Sequence, residues 1–330
     1  MLGWGITSSA PHPTRVFTGS EDFVPDTPLP SDPLWPRASS WLRPCSADAL
    51  AENHGCDLAL LGVPTYRTSI TPTGAHATPA AVREALQRYS TYAASRGIDV
   101  AELTALDFGD VGEPDGPEGE SRVLDAVARV RASGARLLVA LGGDNSLTFP
   151  VATGLLGDDL ANAGLITVDA HHDLRDGATN GSPVRRLVEA GLPGRNIVQI
   201  GIADFSNSAA YAARALEYGI TVIHRSELRR HPLPQILAYA LELAGAGGRP
   251  IFVDLDVDVC DRAEVPGCPS AAPGGITADG LREIAFVLAR DPRVVGLDIT
   301  EIDATIDAPG RTVRLAALLL LEAAAGLATR

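Results

Sequence analysis

Gly164-Leu-Ile-Thr-Val168-Asp169-Ala-His171-His172-Asp173 is the stretch on which the reading of this chain turns. A short apolar run, Gly164–Val168, passes at once into two carboxylates and two imidazoles. Such a run, closed by polar residues, is the pattern of a buried parallel strand. On a strand, residues i, i+2 and i+4 share a face, which gathers Asp169, His171 and Asp173 and turns His172 the other way. About eighty residues later the pattern returns: Pro250–Val253 runs into Asp254-Leu-Asp256-Val-Asp258, and Asp256 and Asp258 share a face. With the two strand ends as neighbours, four carboxylates and an imidazole crowd one spot. Like charges that close stay ionised only when a cation neutralises them. The expectation is a divalent metal centre in which two ions share Asp oxygens. Acidic residues at strand ends also cap helices or stand in solvent, but two runs of matched spacing weigh against that reading.

Outward from these runs the chain alternates. Strand candidates are Leu58–Val63, Thr104–Phe108, Arg136–Leu141, Gly164–Val168, Asn196–Ile200, Thr221–Ile223, Ile251–Leu255 and Val294–Ile299. Helical stretches lie between and after them, near Pro79–Ala94, Glu118–Ala132, Leu147–Leu156, Val184–Ala190, Ala209–Tyr218, Leu233–Ala244, Ala278–Ala289 and Arg311–Ala328. This predicts a three-layer α/β/α fold around a mostly parallel sheet of roughly eight strands. Ligands in such sheets bind beyond the carboxyl ends of the strands, where both acidic runs fall. Residues 51–330 read as a single catalytic domain. Residues 1–50 differ, with eight of the 24 prolines and all three tryptophans, Trp4, Trp35 and Trp41. They read as an irregular arm packed on the domain or on a neighbouring subunit, and a homo-oligomer is expected.

Composition narrows the chemistry. With 330 residues, 45% of them hydrophobic, the chain can bury a sizeable core. A net charge of −14 argues against nucleic acid or an anionic membrane as partner. All 27 basic residues are arginine, which excludes Schiff-base chemistry, pyridoxal phosphate and a P-loop, each of which needs a lysine amine. Cys45, Cys56, Cys260 and Cys268 form no CxxC pair and read as reduced thiols, although Cys260 and Cys268 are close enough to pair. No apolar run reaches ~18 residues, so a soluble cytoplasmic protein is expected. His12, His54, His76, His224 and His231 have no partners at ligand spacing and read as structural or surface residues.

Four motifs in order, Leu141-Gly-Gly-Asp144-Asn145-Ser146, Asp169-Ala-His-His-Asp173, Asp256-Val-Asp258 and Glu301-Ile-Asp303, resemble those of the ureohydrolase (arginase/agmatinase) family over roughly Asp57 to Ala325. Within it, Asp169 to Arg175, then Asn180-Gly-Ser182-Pro183-Val-Arg185, then Pro266-Gly-Cys268-Pro-Ser270-Ala-Ala-Pro-Gly-Gly275 resemble the formimidoylglutamase branch. The resemblance implies an arginase-like fold and hydrolysis of N-formimidoyl-L-glutamate to glutamate and formamide, in histidine degradation, by a hydroxide activated between two manganese ions. It also implies roles. Asp169 and Asp256 would bridge the ions, Asp173 would complete one shell, and His171 with Asp258 the other. Oxygen donors with one imidazole suit Mn²⁺ better than Zn²⁺. Asp173 would carry a proton from the water to the leaving nitrogen, and Glu301 would pair with the cationic amidinium. Arg175, Asn180, Ser182, Arg185, Arg186 and Ser270 would contact substrate, the arginines as two-pronged carboxylate clamps.

Two positions depart from the family pattern. Asn145 stands where arginases and agmatinases have a metal-binding histidine, so the ion beside it is expected to be weakly held or lost. Asn180 stands where arginases have a histidine thought to shuttle protons. Asp144 is expected to support structure around the centre, and His172 to bond a neighbour rather than replace Asn145 as ligand. The competing readings are a guanidino-acid hydrolase, a deacetylase of the histone-deacetylase type, whose single zinc leaves four aspartates unexplained, and a catalytically weak metal-binding relative.

Overall fold

Runs such as Leu58-Ala-Leu-Leu-Gly-Val63 and Leu137-Leu-Val-Ala-Leu-Gly142 are aliphatic at every position and buried at every position. A strand of that kind is stable only with both faces covered, and that requirement shapes the molecule. The structure, a computed structural model, describes residues 32–52 and 55–330. Trp4, His12, His54 and most of the expected arm lie outside the described residues. The strands are β1 (Arg43–Pro44), β2 (Leu58–Val63), β3 (Tyr92–Ala93), β4 (Ile98–Asp99), β5 (Ala105–Asp110), β6 (Leu137–Gly142), β7 (Gly164–Val168), β8 (Ile197–Ile202), β9 (Thr221–His224), β10 (Ile251–Asp256) and β11 (Val294–Thr300). Nine of them form one parallel sheet in the order β1-β5-β2-β6-β11-β10-β7-β8-β9, and β3 and β4 make a small antiparallel pair.

The helices are α1 (Ala38–Trp41), α2 (Ala47–Glu52), α3 (Thr78–Ala85), α4 (Gly116–Ala132), α5 (Thr148–Leu156), α6 (Pro183–Glu189), α7 (Ala209–Tyr218), α8 (Arg225–Leu228), α9 (Leu233–Ala244), α10 (Ala278–Arg290) and α11 (Arg311–Leu327). Strand side chains alternate between two cores, as the period of two requires. Leu58 and Leu60 of β2 join Val82 of α3, Leu237 of α9, Leu281 of α10 and Leu319 of α11. Ala59 and Leu61 join Val123 of α4, Val151 of α5, Leu187 of α6 and Ala215 of α7. The result is the three-layer α/β/α arrangement.

Three features differ from the sequence expectation. Among the described residues the sheet has nine strands because the two-residue β1 pairs with β5 at its edge, where Pro44 needs to donate no ladder hydrogen bond. Part of the expected arm belongs to the main body: Leu34–Arg330 is one compact unit, and buried Trp41 donates from Nε1 to Leu103 O at 3.0 Å. The helix expected to run to Ala94 stops at Ala85 and closes with a 3₁₀ turn at Leu86–Arg88. Beyond it, Tyr89-Ser-Thr-Tyr92 is a run of weak helix formers, and Thr91 O accepts from Val100 N instead. All four cysteines are free thiols. No helix among the described residues is long and apolar enough to cross a membrane.

Candidate metal centre

The strands that carry the four motifs, β6, β11, β10 and β7, are consecutive neighbours in the middle of the sheet. Leu255 of β10 is the register partner of Val168 on β7, and Asp256 that of Thr300 on β11. The carboxyl ends therefore stop side by side, and the chain leaves the sheet in opposite directions on either side of them, the usual crevice for a ligand.

Each motif then aims its side chains by a tight local turn. After β7 the pleat does not continue. Asp169 Oδ1 accepts from His171 N at 2.6 Å, and Asp173 takes a left-handed backbone, φ +54°. After β10, Asp256 Oδ1 accepts from Asp258 N at 2.8 Å. After β11, Glu301 has φ +63°. A left-handed conformation at a residue with a side chain is disfavoured and persists only where the surroundings over-determine it. Here it occurs at two of the residues that face the centre. After β6, Gly143 lies against Thr65 so closely that a Cβ would sit 2.4 Å from Thr65 O. Asp144 N donates to that oxygen at 2.9 Å, and the Asp144 carboxylate takes bonds from Ser146 and Ser69. Asn145 is thereby pressed into the centre, fully buried.

Two groups of ligand atoms, each within 4.8 Å of one another, result: Asp169, His171 and Asp258, and Asp169, Asp173 and Asp254. Asp169 belongs to both. His171 Nδ1 lies 2.7 Å from Asp258 Oδ2. Asn145 Nδ2 lies 2.6 Å from Asp173 Oδ2 and 3.4 Å from Asp254 Oδ2, at the edge of the second group. Asp256, expected as a bridge, lines the adjoining cavity but belongs to neither group. Asp254, to which sequence reasoning assigned no role, belongs to the second; its place two residues before Asp256 was the signal.

The electrostatics follow from burial. Desolvation, then mutual repulsion, pushes Asp169, Asp173 and Asp256 well above the usual carboxylate range. Burial raises Asp254 to about 7, and burial with the Asp144 charge raises Glu301 to about 7. The Asp258 charge pushes His171 up to about 12. Burial alone would raise Asp258, but the His171 imidazolium beside it brings it down to about 2. Asp169 Oδ2 is buried with no hydrogen-bond partner among the described residues. An orphaned carboxylate oxygen amid crowded carboxylates and one imidazole fits a hard divalent cation.

Above the centre opens a cavity of about 200 Å³, floored by His171, Asp173, Asp256, Asp258 and Glu301. Arg175, Asn180, Ser270, Ile70 and the Ser206–Ser208 loop with Tyr211 form its walls. Arg175 is exposed, and its guanidinium has no partner among the described residues. Asn180 Nδ2 donates to Glu301 Oε1 at 2.9 Å, and Asn145 N to the same oxygen at 2.8 Å. His172 faces away and pairs through Nδ1 with Gln199 Oε1 at 2.7 Å.

Three residues expected to contact substrate, Ser182, Arg185 and Arg186, do not line this cavity. Arg185 spends its guanidinium on Glu189 and on the carbonyls of Arg175 and Gly177. Arg186 is held by both Glu120 oxygens, at 2.7 and 2.8 Å, over the Phe149 ring. Ser182 is fully buried and bonds Thr179. Their place around Pro183 at the start of α6 resembles a contact loop, but Ser182 is buried beneath it and the helix turns the two arginines sideways. The Ser206–Ser208 wall was missed because a loop after a strand carries no periodic signal; its position beyond the end of β8 was the available cue.

The model of the arginase family matches residues 56–326. A formimidoylglutamase of Halalkalibacterium halodurans is 36% identical over 80% of this chain and 85% of its own. The crystal structure of formimidoylglutamase from Bacillus subtilis superposes with a TM-score of 0.83, at 30% identity, over 92% of this chain and 95% of that one. That of Trypanosoma cruzi formiminoglutamase with Mn²⁺ superposes with a TM-score of 0.81, at 25% identity, over 90% and 99%.

Proposed function

The chain belongs to the arginase family, and from that membership together with its centre we infer that it hydrolyses N-formimidoyl-L-glutamate to L-glutamate and formamide. The observation that carries this reading is one cavity with a carboxylate floor and an unpartnered guanidinium, Arg175, on its wall. The floor suits a cationic amidine head above metal, and the wall suits an anionic tail.

Two Mn²⁺ ions would be held by this chain, one by Asp169, His171 and Asp258, the other by Asp169, Asp173, Asp254 and Asn145, with Asp256 facing the same cavity. Bound manganese supplies an acidified water, a nucleophile at neutral pH. The remaining work falls to the protein. Glu301 has Oε1 held by two N–H donors, which leaves Oε2 to pair with the amidinium and place its carbon over the floor. Asp173, at the cavity floor, takes the proton released as water adds to that carbon. It returns the proton to the glutamate nitrogen as the C–N bond breaks. Arg175 clamps a glutamate carboxylate. Asn180 orients Glu301 and carries no proton.

Purified protein supplied with Mn²⁺ and offered formimidoylglutamate, arginine, agmatine and 4-guanidinobutanoate in parallel tests the assignment. Formamide release from the first should dominate. Faster turnover of a guanidino compound would overturn it in favour of another member of the family.

A further inference from the structure

Asn145 is the neutral side chain at the edge of the second group, and a carboxamide serves a cation only through its oxygen. Its Nδ2 faces Asp173 and Asp254, while its Oδ1 lies 2.6 Å from Thr148 Oγ1. Thr148 Oγ1 also lies 2.8 Å from Asp298 Oδ2. All three residues are buried, and Asp298 is the register partner of Asp254 across β10 and β11. A hydroxyl has one hydrogen, so Thr148 can donate to only one of these two oxygens. The O and N ends of a carboxamide are told apart by their partners, and the turned-over amide lets Thr148 keep both of its contacts. Nδ2 then donates to Thr148 Oγ1, the hydroxyl hydrogen goes to Asp298 Oδ2, and Asn145 Oδ1 faces the oxygens of Asp173 and Asp254. Three converging oxygens repel one another without a cation and suit one well.

We propose that Thr148 and Asp298 are positioning residues that hold the Asn145 carboxamide with its oxygen toward the second cation. They do for a weak neutral donor what the outer partners of a metal-bound histidine do for its ring. The inference rests on the two-cation reading above, not on the identity of the substrate.

Calorimetric titration of metal-stripped full chain with Mn²⁺ alone tests it. Thr148→Val and Asp298→Asn should each weaken one binding step by about 10- to 100-fold and leave the other unchanged, whereas Thr148→Ser should bind like wild type. In an Asn145→Asp background a carboxylate presents an oxygen either way round, so adding Thr148→Val should then change affinity by less than about threefold. Unchanged affinity in Thr148→Val, or an equal loss in both backgrounds, would overturn the proposal, since the hydroxyl would then be packing only. Should Thr148→Val fail to fold, the same pair of comparisons with Asp298→Asn decides. A wild-type chain that takes up one Mn²⁺ only also overturns it, while the substrate assay stands apart from that result.

Discussion

Asp169 is the residue on which both ligand groups depend. Replacing its charge by a neutral amide removes a donor from each, so Asp169→Asn should lose most bound metal and at least ~10³-fold in turnover, the scale of losing an activated water. Asp254→Asn touches the second group alone and should lose one ion of two. Metal analysis after gel filtration separates the cases, and two ions retained in Asp169→Asn would show that it is not shared. At the wall, Arg175→Ala should lower kcat/KM for formimidoylglutamate by ~30- to 1000-fold, about 2–4 kcal/mol, with metal content unchanged. Arg175→Lys should recover part, because an ammonium lacks the fork. A neutral formamidine is the control: equal loss on it and on formimidoylglutamate would make Arg175 structural.

Between elements, the loops after β2 and β6 interlock. Gly143 touches the Thr65 backbone, Thr65 O accepts from Asp144 N, and Thr65 Oγ1 donates to Asp144 O at 3.0 Å. That clasp aims Asn145. Gly143→Ala forces a Cβ onto backbone atoms that cannot yield as a side chain would, and should cost roughly 1–3 kcal/mol of stability. It should also weaken metal uptake, since Asn145 moves with the loop. Denaturant unfolding and metal content measure the two effects. A variant as stable as wild type with full metal would show the clasp to be slack.

For the whole molecule, the buried acids make stability depend on pH and metal together. Asp254 and Glu301, raised to about 7 from ordinary values of 3.8 and 4.5, hold protons in the folded state that the unfolded chain has released. Their contribution is fully present below about pH 4 and is lost as pH rises through about 7. His171, raised to about 12, has the same sign above its ordinary 6.5. Asp258, lowered to about 2, contributes above 3.8 and is lost only as pH falls through about 2. The Tm of metal-free protein should therefore fall between about pH 5 and pH 8. Mn²⁺ displaces these protons, so the rise in Tm on adding it should grow over the same range. A metal-free Tm that is flat or climbs across that window would contradict the assignment.

Much was legible along the chain because it is local. Unbroken aliphatic runs announce strands covered on both faces, and their alternation with helical stretches announces the layers. Acidic runs at the strand ends announce a cation before any fold is known. The expected bounds of β2 and β7 coincide with the observed ones, since a run of aliphatic residues leaves little choice. Tertiary structure decided what depends on direction. The pleat implied by Asp169, His171 and Asp173 gives way to a turn with a left-handed Asp173, and that turn, not a strand face, gathers them. Asp254 enters a ligand group because β7, β10 and β11 lie in register. Arg185 and Arg186 leave the site because Glu189, Glu120 and nearby carbonyls claim their charge. Sequence spacing determines which residues can meet; only the packed chain determines which partner is nearer, and a charged group goes to the nearer partner.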